Sequence, residues 1–424
     1  MSDATSSRGA IESVLLVIGD ELLAGEIADL NGPWLAEALA SEGIHVVEMR
    51  VLPDDLGFIS KALEAACDNT HLVILCGGLG PTSDDLTTEA VALALGVETS
   101  LDEGAWAAIQ ALFAARGMKL PLGNEKQAVF PAGAEVLPNA QGTAPGFLTT
   151  SRGGARVAVL PGPPRENRAM FTSELLPRLR SIFPSAPRWE TRVLRVFGLP
   201  ESTVGQRLRQ VEAAHPSVRV GYQARFPEIL VKLRYQSDAQ SEIESAAAGV
   251  RAALTPFVYA EGSAPLPEVL GRRAMGLGLR LVAAESCTGG WVGKLLTDTP
   301  GSSAWFEEAL VTYSNSAKVE LLEVAPALLD EHGAVSEPVA AAMLRGALAR
   351  SRGRAQVGVA ITGVAGPEGG TEAKPVGTVC IAFGSAEELE TRTHRFPFDR
   401  DRNRLLAAWS SLGHLLRWLD ERPA

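Results

Sequence analysis

Four short segments in the last third of the chain carry hydroxyl, amine and guanidinium groups; three follow predicted strands and the fourth opens the last predicted helix. They are AESCTGG around Ser286, YSNSAK from Tyr313 to Lys318, ITGVAGP from Ile361 to Pro367, and DRDRNR from Asp399 to Arg404. A serine hydroxyl becomes a nucleophile when a neighbouring base accepts its proton. None of the six histidines lies in a recognisable triad motif, so Lys318 is the candidate base.

The turn at Ser286 has the composition of a nucleophile site. The apolar run LRLVAA before it predicts a buried strand, and a helix follows it. Thr288, Gly289 and Gly290 open that helix, where unpaired backbone N–H groups and the positive dipole end can hold an oxyanion. Serine is also a common N-cap residue, so this turn alone does not establish a nucleophile.

The other three segments each allow a catalytic and an ordinary interpretation. Lys318 can act as a base only if burial or a nearby cation brings its pKa well below about 10.4; otherwise it is a solvated helix lysine. The loop after Thr362, with Gly363 and Gly366, could cradle a phosphate or could be a plain left-handed loop. The arginines of DRDRNR suit a phosphate, although charge runs also occur at solvated helix starts.

A second group of polar residues lies near the N-terminus, in GGLGPTSDDLTTE from Gly77 to Glu89. Glycines after a strand, followed by carboxylates at a helix start, suit an anionic group together with a hard cation. Asp84 and Asp85 are adjacent, so one could bind a metal while the other caps the helix. Further acidic residues near predicted strand ends are Asp20, Glu21, Asp54 and Asp55.

The hydrophobic pattern divides the chain into three parts. Strand and helix alternate from Ser13 to Leu160, which implies a parallel sheet with helices on both faces. After Phe183 the pattern changes to strands around one helix, with a further helix behind them, which indicates a small α+β module. A linker at 261–267 precedes the last part, which begins with a helix at Glu268–Gly276.

Composition excludes several classes of protein. The 424 residues suggest two to four domains at roughly 100–200 residues each. A net charge of -11 argues against a general nucleic-acid binder. The four cysteines form no CxxC pair, which argues against a structural zinc or a disulfide framework. No apolar run reaches the ~18 residues of a membrane span and Met1–Ala10 has no apolar core, so we expect a cytoplasmic protein.

Together, the four segments of the last third resemble the C-terminal domain of the competence/damage-inducible CinA family. The resemblance implies a metal-free and cofactor-free amidohydrolase that converts nicotinamide mononucleotide to nicotinate mononucleotide and ammonia through an acyl-enzyme. Ser286 would be the nucleophile, and Lys318 the general base and later the acid. Supporting positions implied by the resemblance are Tyr313 beside Lys318, Thr362 for the nucleotide or oxyanion, Thr288, Gly289, Gly290, Gly363 and Gly366 around the substrate, and Arg402 for the phosphate, with Arg400 and Arg404 as alternatives.

The N-terminal segments, with NAQGTAPGF (139–147) and PGPPRE (161–166), resemble the molybdopterin-binding fold of molybdopterin adenylyltransferases and of the N-terminal half of CinA. The resemblance implies an ADP-ribose pyrophosphatase that needs a divalent metal, namely magnesium, manganese or cobalt. Asp85 would act at the pyrophosphate. The metal ligands would come from Asp54, Asp55, Asp84 and Asp85, and the substrate-binding positions would be Gly77, Gly78, Gly80, Asp20 and Glu21.

The middle part resembles the KH-like piece of the same family. It lacks the GXXG loop of a nucleic-acid-binding KH domain between Gly198 and Gly205, so we expect a structural or dimerising role.

The expected architecture is therefore α/β in three domains: a three-layer α/β/α domain (1–176), a KH-like α+β module (177–262) and a C-terminal α/β/α domain (263–424). The resemblance to the family alone implies a homodimer. Two other functions stay open. One is a non-catalytic nucleotide- or pterin-binding partner in competence or DNA recombination. The other is molybdopterin adenylyltransferase-like activity in the first domain.

Overall fold

The structure is a computed structural model that describes residues 11–236 and 239–422. Its chain forms two compact units, Met1–Glu190 and Thr191–Ala424. Met1–Ala10, where the sequence predicts no apolar targeting segment, lies outside the described residues. No helix in the described part of the chain has the length and apolar character needed to cross a membrane.

Strands and helices alternate in the first half of the first unit, as the hydrophobic pattern predicts. Its strands are β1 (Ile11–Ile18), β2 (Ile44–Leu52), β3 (Leu72–Cys76), β4 (Thr99–Leu101), β5 (Val129–Pro131), β6 (Glu135–Leu137), β7 (Gly146–Thr150) and β8 (Arg156–Leu160). Its helices are α1 (Asp20–Leu23), α2 (Gly32–Ser41), α3 (Leu56–Cys67), α4 (Thr87–Leu95), α5 (Glu103–Ala115), α6 (Pro164–Met170) and α7 (Leu176–Ile182).

The main sheet of this unit is mixed and has the strand order β2-β1-β3-β8-β7-β6. The strands from β2 to β8 in that order are parallel, but β7 runs antiparallel to β8 and β6 antiparallel to β7. The prediction of a wholly parallel sheet is therefore wrong at the edge formed by β7 and β6. The short turn between β7 and β8 leaves no room for the crossover that a parallel pair needs.

Alternating residues of the strands fill two apolar layers, one on each face of this sheet. On one face Leu15 packs in the cluster that contains Leu35 of α2. On the other face Leu16 packs with Ile59 and Leu63 of α3. Successive side chains of a strand point to opposite faces, so a strand with helices on both sides has apolar residues throughout. The predicted three-layer arrangement is confirmed.

The second unit contains two sheets. Its strands are β9 (Trp189–Phe197), which begins at the boundary between the units, β10 (Arg219–Arg225), β11 (Glu228–Gln236), β12 (Val258–Glu261), β13 (Leu281–Glu285), β14 (Phe306–Val311), β15 (Val357–Gly363), β16 (Thr378–Ser385) and β17 (Leu389–Arg395). Its helices are α8 (Glu201–Ala214), α9 (Gln240–Leu254), α10 (Leu266–Gly276), α11 (Trp291–Thr297), α12 (Asn315–Leu322), α13 (Pro326–His332), α14 (Glu337–Arg350) and α15 (Arg400–Asp420).

The smaller sheet has the order β10-β11-β9-β12 and packs against α8 and α9, which gives the expected α+β module. The larger sheet has the order β14-β13-β15-β16-β17. In it β14, β13 and β15 are parallel, and β16 and β17 are antiparallel additions. Because the parallel strands end at one edge of the sheet, the residues that follow β13, β14 and β15 come together there.

Candidate active site

The carboxyl ends of these three parallel strands bring the predicted hydroxyl and amine groups into one cleft. Ser286 directly follows β13, Thr312 and Tyr313 follow β14, and Thr362 lies near the end of β15. The cleft has a volume of about 180 Å³. Its lining residues are Ser286, Cys287, Tyr313, Asn315, Lys318, Ala334, Val335, Thr362, Gly363, Ala365 and Arg400.

Lys318 is buried in this cleft with its amine at the serine. Its side chain is 1% exposed, and Nζ lies 3.1 Å from Oγ of Ser286, 2.9 Å from the carbonyl oxygen of Thr312 and 3.2 Å from that of Tyr313. Carbonyl oxygens can only accept hydrogen bonds. A neutral amine that donates its two N–H groups to them therefore directs its lone pair at the Ser286 hydroxyl.

Burial favours this neutral form of Lys318. Desolvation lowers the pKa of its amine, and the smaller opposing influence is the charge of a Cys287 thiolate. Burial also raises the pKa of the Cys287 thiol to about 12, so that thiol is protonated at neutral pH. Although Cys287 lines the same cleft, Ser286 is the residue with a base at its reactive atom.

A buried carboxylate that the sequence analysis missed holds the turn after Ser286. Glu285 is fully buried. Its Oε2 accepts hydrogen bonds from the backbone N–H of Gly290 at 3.0 Å and of Val292 at 3.1 Å, and its Oε1 accepts one from Gly293 at 2.8 Å. The amides at the start of α11 therefore donate to the Glu285 carboxylate. The sequence predicts that the Gly290 amide binds a substrate oxyanion, but this amide is already used.

The other backbone amides of this turn belong to the three residues that directly follow Ser286 in the chain. The Gly289 amide donates to the Ser286 carbonyl at 3.1 Å, so it too is occupied. By contrast, the backbone N–H groups of Cys287 and Thr288 donate to no other residue in the described ranges. The Thr288 hydroxyl is buried and has no partner among those residues either. Of these two residues, Cys287 lines the cleft, so its amide is the first candidate oxyanion donor, followed by that of the adjacent Thr288.

The loop after β15 forms one wall of the cleft with its side chain and carbonyl groups. Thr362 is 1% exposed and its hydroxyl donates to the carbonyl of Ala334 at 2.8 Å, which holds that neighbouring segment against the cleft. Gly363 lines the cleft. Gly366 does not line it, and its carbonyl accepts a hydrogen bond from Nη1 of Arg400 at 2.5 Å. Gly366 is therefore not part of the cleft wall, and the phosphate cradle expected at this loop stays a prediction.

The helical phase of α15 decides which arginine faces the cleft. Arg400 lines it, with Nη2 3.4 Å from Oη of Tyr313. The guanidinium of Arg402 instead lies 5.4 Å from the ring centre of Phe226. Arg404 donates to the Thr288 carbonyl at 2.8 Å. Residues two apart on a helix point about 200° apart and residues four apart about 40°. Among the three candidate arginines, Arg400 is therefore the one that lines the cleft, and which of them binds a phosphate stays a prediction.

In the first unit, the predicted glycine loop follows β3 in a conformation that favours glycine. Gly77 has φ +108° and Gly78 φ +65°. A Cβ at Gly78 would come 2.2 Å from Oγ1 of Thr87, whose hydroxyl donates to the Gly77 carbonyl at 2.8 Å. At Gly80 a Cβ would come 2.4 Å from a carboxylate oxygen of Asp85. These close approaches bring the loop backbone to the start of α4.

Two of the predicted acidic residues hold local turns. Asp55 caps α3 by accepting a hydrogen bond from the Phe58 amide at 2.9 Å. Asp85 accepts hydrogen bonds from both the amide, at 2.9 Å, and the hydroxyl of Thr82. In each case one carboxylate oxygen is occupied by its own loop.

Asp54 lies among other negative charges. Burial raises the pKa of its carboxyl, and the charges of Asp20, Glu21 and Asp84 raise it further, while a hydrogen bond from the Asp20 amide opposes them. Within the described ranges, no three His, Cys, Asp or Glu side chains converge as ligands for one metal ion. Mg²⁺ is commonly held by one or two carboxylates with water and substrate phosphates. Asp54 and Asp84 are the candidates for that kind of site, because their charges interact.

Comparisons with known proteins cover most of the chain. The family model of the probable molybdopterin binding domain matches residues 14–181, that of the damage-inducible protein CinA KH domain residues 191–260, and that of the CinA C-terminal domain residues 263–419. A CinA-like protein of Anaeromyxobacter dehalogenans is 41% identical over 406 residues, which are 95% of this chain and 98% of that protein.

Two further proteins are also similar to this chain. A CinA-like protein of Syntrophotalea carbinolica is 40% identical over 412 residues, or 97% of this chain and 99% of that one. A crystal structure of a competence-damaged protein (CinA) superfamily protein from Klebsiella pneumoniae is 34% identical, covers 37% of this chain and 97% of its own, and has a TM-score of 0.36.

Proposed function

The chain belongs to the CinA family, with molybdopterin-binding-like, KH and CinA C-terminal domains, and we propose that its second unit hydrolyses the amide of nicotinamide mononucleotide. The observation that carries the proposal is the 3.1 Å distance between Nζ of Lys318 and Oγ of Ser286. A buried amine whose other contacts are carbonyl oxygens is suited to remove the proton from that hydroxyl.

In the first half of the reaction, Oγ of Ser286 attacks the carbonyl carbon of the amide and Lys318 takes the hydroxyl proton. The oxyanion that forms accepts hydrogen bonds from the backbone N–H groups of Cys287 and Thr288. Lys318, now an ammonium, protonates the amide nitrogen. The C–N bond then breaks, ammonia leaves, and a nicotinoyl ester remains on Ser286.

In the second half, water attacks the ester carbonyl and Lys318 accepts a proton from that water. The Oγ–C bond breaks, Lys318 returns the proton to Ser286, and nicotinate mononucleotide leaves. Every proton transfer in this sequence uses groups of the chain or of water, so the reaction as written needs no metal and no other cofactor.

The substrate is proposed from the size of the cleft and the charge at its mouth. At about 180 Å³ the cleft is smaller than the roughly 300–1,000 Å³ of drug-sized ligand sites. It therefore takes the pyridine amide and leaves the ribose phosphate outside. Arg400 lines the cleft and Tyr313, 62% exposed, lies beside its guanidinium. A guanidinium in this position can bind a phosphate through two parallel hydrogen bonds.

The first experiment measures ammonia release from nicotinamide mononucleotide in EDTA. We expect release by the unaltered protein and a loss of at least about 10³-fold in Ser286→Ala, since removal of a hydrolase nucleophile has effects of that size or larger. The exposed Ser303→Ala is the matched control and should keep the rate. Circular dichroism establishes that each variant is folded.

Other outcomes of this experiment separate the alternatives. A Ser286→Ala variant that kept more than about a tenth of the rate would contradict the nucleophile assignment. A folded, unaltered protein that released no ammonia would contradict the proposed activity. The non-catalytic nucleotide- or pterin-binding interpretation would then be preferred.

A second candidate activity belongs to the first unit, where we propose metal-dependent hydrolysis of ADP-ribose. The observation in its favour is the glycine loop at Gly77 and Gly78 beside the negative charges around Asp54. A divalent cation there would neutralise a diphosphate and activate water. Asp54 and Asp84 would hold the cation, and the backbone of the glycine loop would bind a phosphate group.

A further inference from the structure

A second cavity in the Thr191–Ala424 unit is larger and more apolar than the cleft. It lies between the KH-like sheet and the C-terminal helix α15, shares no lining residue with the cleft, and has a volume of about 630 Å³. Phenylalanine rings form much of its wall, among them Phe197, Phe226, Phe257, Phe396 and Phe398. Ligand sites of roughly 300–1,000 Å³ with mostly apolar walls and few polar groups are typical for small molecules.

The polar groups in its wall form a short hydrogen-bonded chain. A guanidinium N–H of Arg417 donates to Nδ1 of His414 over 3.1 Å, and Nε2 of His414 lies 2.8 Å from Nε2 of His394. Since Nδ1 of His414 accepts, its Nε2 carries the proton and donates to His394. Burial, then the charge of Arg417, lowers the pKa of both rings, that of His414 to about 3. Both histidines are therefore neutral at neutral pH.

Arg417 is thus a charged group in an apolar wall, and no carboxylate of the described residues forms an ion pair with it. Burial lowers its pKa, and the charge of Glu421 opposes that shift without direct contact. The buried Glu228 of the same wall is already paired with Arg195 at 2.5 Å. Glu201, the other carboxylate of the wall, is exposed at the start of α8. The guanidinium keeps donors that no described anion uses.

We propose that this cavity binds a small amphipathic carboxylate, with its apolar body among the phenylalanine rings and its carboxylate on Arg417. A wholly apolar ligand would leave the guanidinium without an anion, which is unfavourable in an apolar environment. A phosphate monoester would bring close to two negative charges to one guanidinium. A monoanion that accepts two parallel N–H bonds matches the available donors.

The test uses calorimetric titration of the full chain with decanoate and with 1-decanol, which have the same chain length and differ in charge. We expect saturable binding of one decanoate, at least about tenfold tighter than binding of decanol, because one hydrogen bond to a charged group contributes that much. Arg417→Met has a side chain of similar length without charge. It should bind the two probes equally.

A second pair of variants keeps the proposal testable if Arg417→Met fails to fold. Ala224 lies exposed on β10 and lines the cavity, so Ala224→Trp fills the space and should weaken both probes at least about tenfold. Gln223 is exposed on the other face of the same strand, and Gln223→Trp should bind decanoate as the unaltered chain does.

Three results would overturn the proposal. They are the absence of saturable decanoate binding, equal affinity for decanoate and decanol in the unaltered chain, and decanoate binding that Ala224→Trp leaves unchanged. Light scattering at the same concentrations identifies the competing occupant. A dimer that takes up no decanoate would mean that a second copy of the chain covers this surface.

Discussion

At the scale of single residues, the chemistry of the cleft depends on the Lys318 amine being shielded from water. Lys318 has no described carboxylate as a partner, only the Ser286 hydroxyl and two carbonyl groups. The residue types were predictable, since Ser286, Lys318, Tyr313 and Thr362 were all selected from the sequence and all line the cleft. Burial of Lys318 was not predictable, because it follows from packing between segments distant in the chain.

The lowered pKa of Lys318 predicts the pH dependence of the reaction. The neutral amine is the active form, so kcat/KM should rise with pH through the pKa of Lys318, which burial brings below its ordinary 10.5. Initial rates of ammonia release between pH 5 and pH 10 measure this rise. Lys318→Arg should lose at least about 10³-fold, because a guanidinium does not deprotonate in this range. Lys294→Arg, at an exposed position on α11, is the control.

Two observations would contradict the assignment of Lys318 as the base. One is a rate that stays flat or falls across the whole range from pH 5 to pH 10. The other is a Lys318→Arg variant that retains the rising limb of the profile.

At the scale of elements, strand ends and helix phase place the site. The apolar run LRLVAA, which predicts a buried strand, overlaps β13 at Leu281–Glu285. Buried parallel strands have continuous apolar runs, which is why they were found. The sequence does not predict β17, because its segment LETRTHR is largely polar. Such a composition is common in a strand at the edge of a sheet. Glu285 was missed because its partners are backbone amides, which leave no mark on a sequence.

The helical phase of α15 predicts that substitution of Arg400 raises KM and that substitution of Arg402 does not. Arg400→Ala should raise KM for nicotinamide mononucleotide about ten- to a hundredfold, because it removes a hydrogen bond between charged groups at the phosphate. Arg402→Ala is the matched control and should change KM less than about twofold. With nicotinamide riboside, which lacks the phosphate, both variants should behave like the unaltered chain. Equal effects of the two substitutions would contradict the helix phase described here.

The hydrogen bonds of the Glu285 carboxylate predict that the isosteric substitution Glu285→Gln lowers the stability of the fold. Glu285→Gln places an amide NH₂ where one of three backbone N–H groups needs an acceptor, so the free energy of unfolding should fall by about 1–3 kcal/mol. Urea unfolding measures this difference. Glu320→Gln, on the surface helix α12, should change it by less than about 0.5 kcal/mol. An unaltered midpoint in Glu285→Gln would mean that the three amide contacts contribute little.

At the scale of the whole molecule, the three parts expected from the sequence appear as two compact units, since the KH-like sheet and the C-terminal sheet belong to one of them. Length and composition suggested the number of parts. They could not show how the parts group, because grouping depends on which apolar faces meet. Tyr259 of β12, for example, packs edge-on against Trp409 of α15 at 6.3 Å between ring centres.

The separation into two units predicts that the two proposed activities can be lost one at a time. Ser286→Ala should abolish ammonia release and leave magnesium-dependent ADP-ribose hydrolysis intact. Asp54→Asn should lower ADP-ribose hydrolysis at least about tenfold, because it removes a charge at the cation, and should leave ammonia release intact. EDTA should stop only the ADP-ribose reaction. Asp68→Asn, at an exposed position after α3, is the control. Loss of both activities in either variant would contradict independent sites.

The helix α15 carries Arg400, which lines the cleft, and Arg417, which lines the apolar cavity. Arg400 is its first residue and Arg417 lies near its other end, about 25 Å away at 1.5 Å per residue. A molecule bound at either end stabilises only the chain in which this helix is intact. Protection against heat is therefore shared: a ligand in the apolar cavity would delay thermal inactivation of the amidohydrolase cleft, and a ligand in the cleft would preserve the cavity.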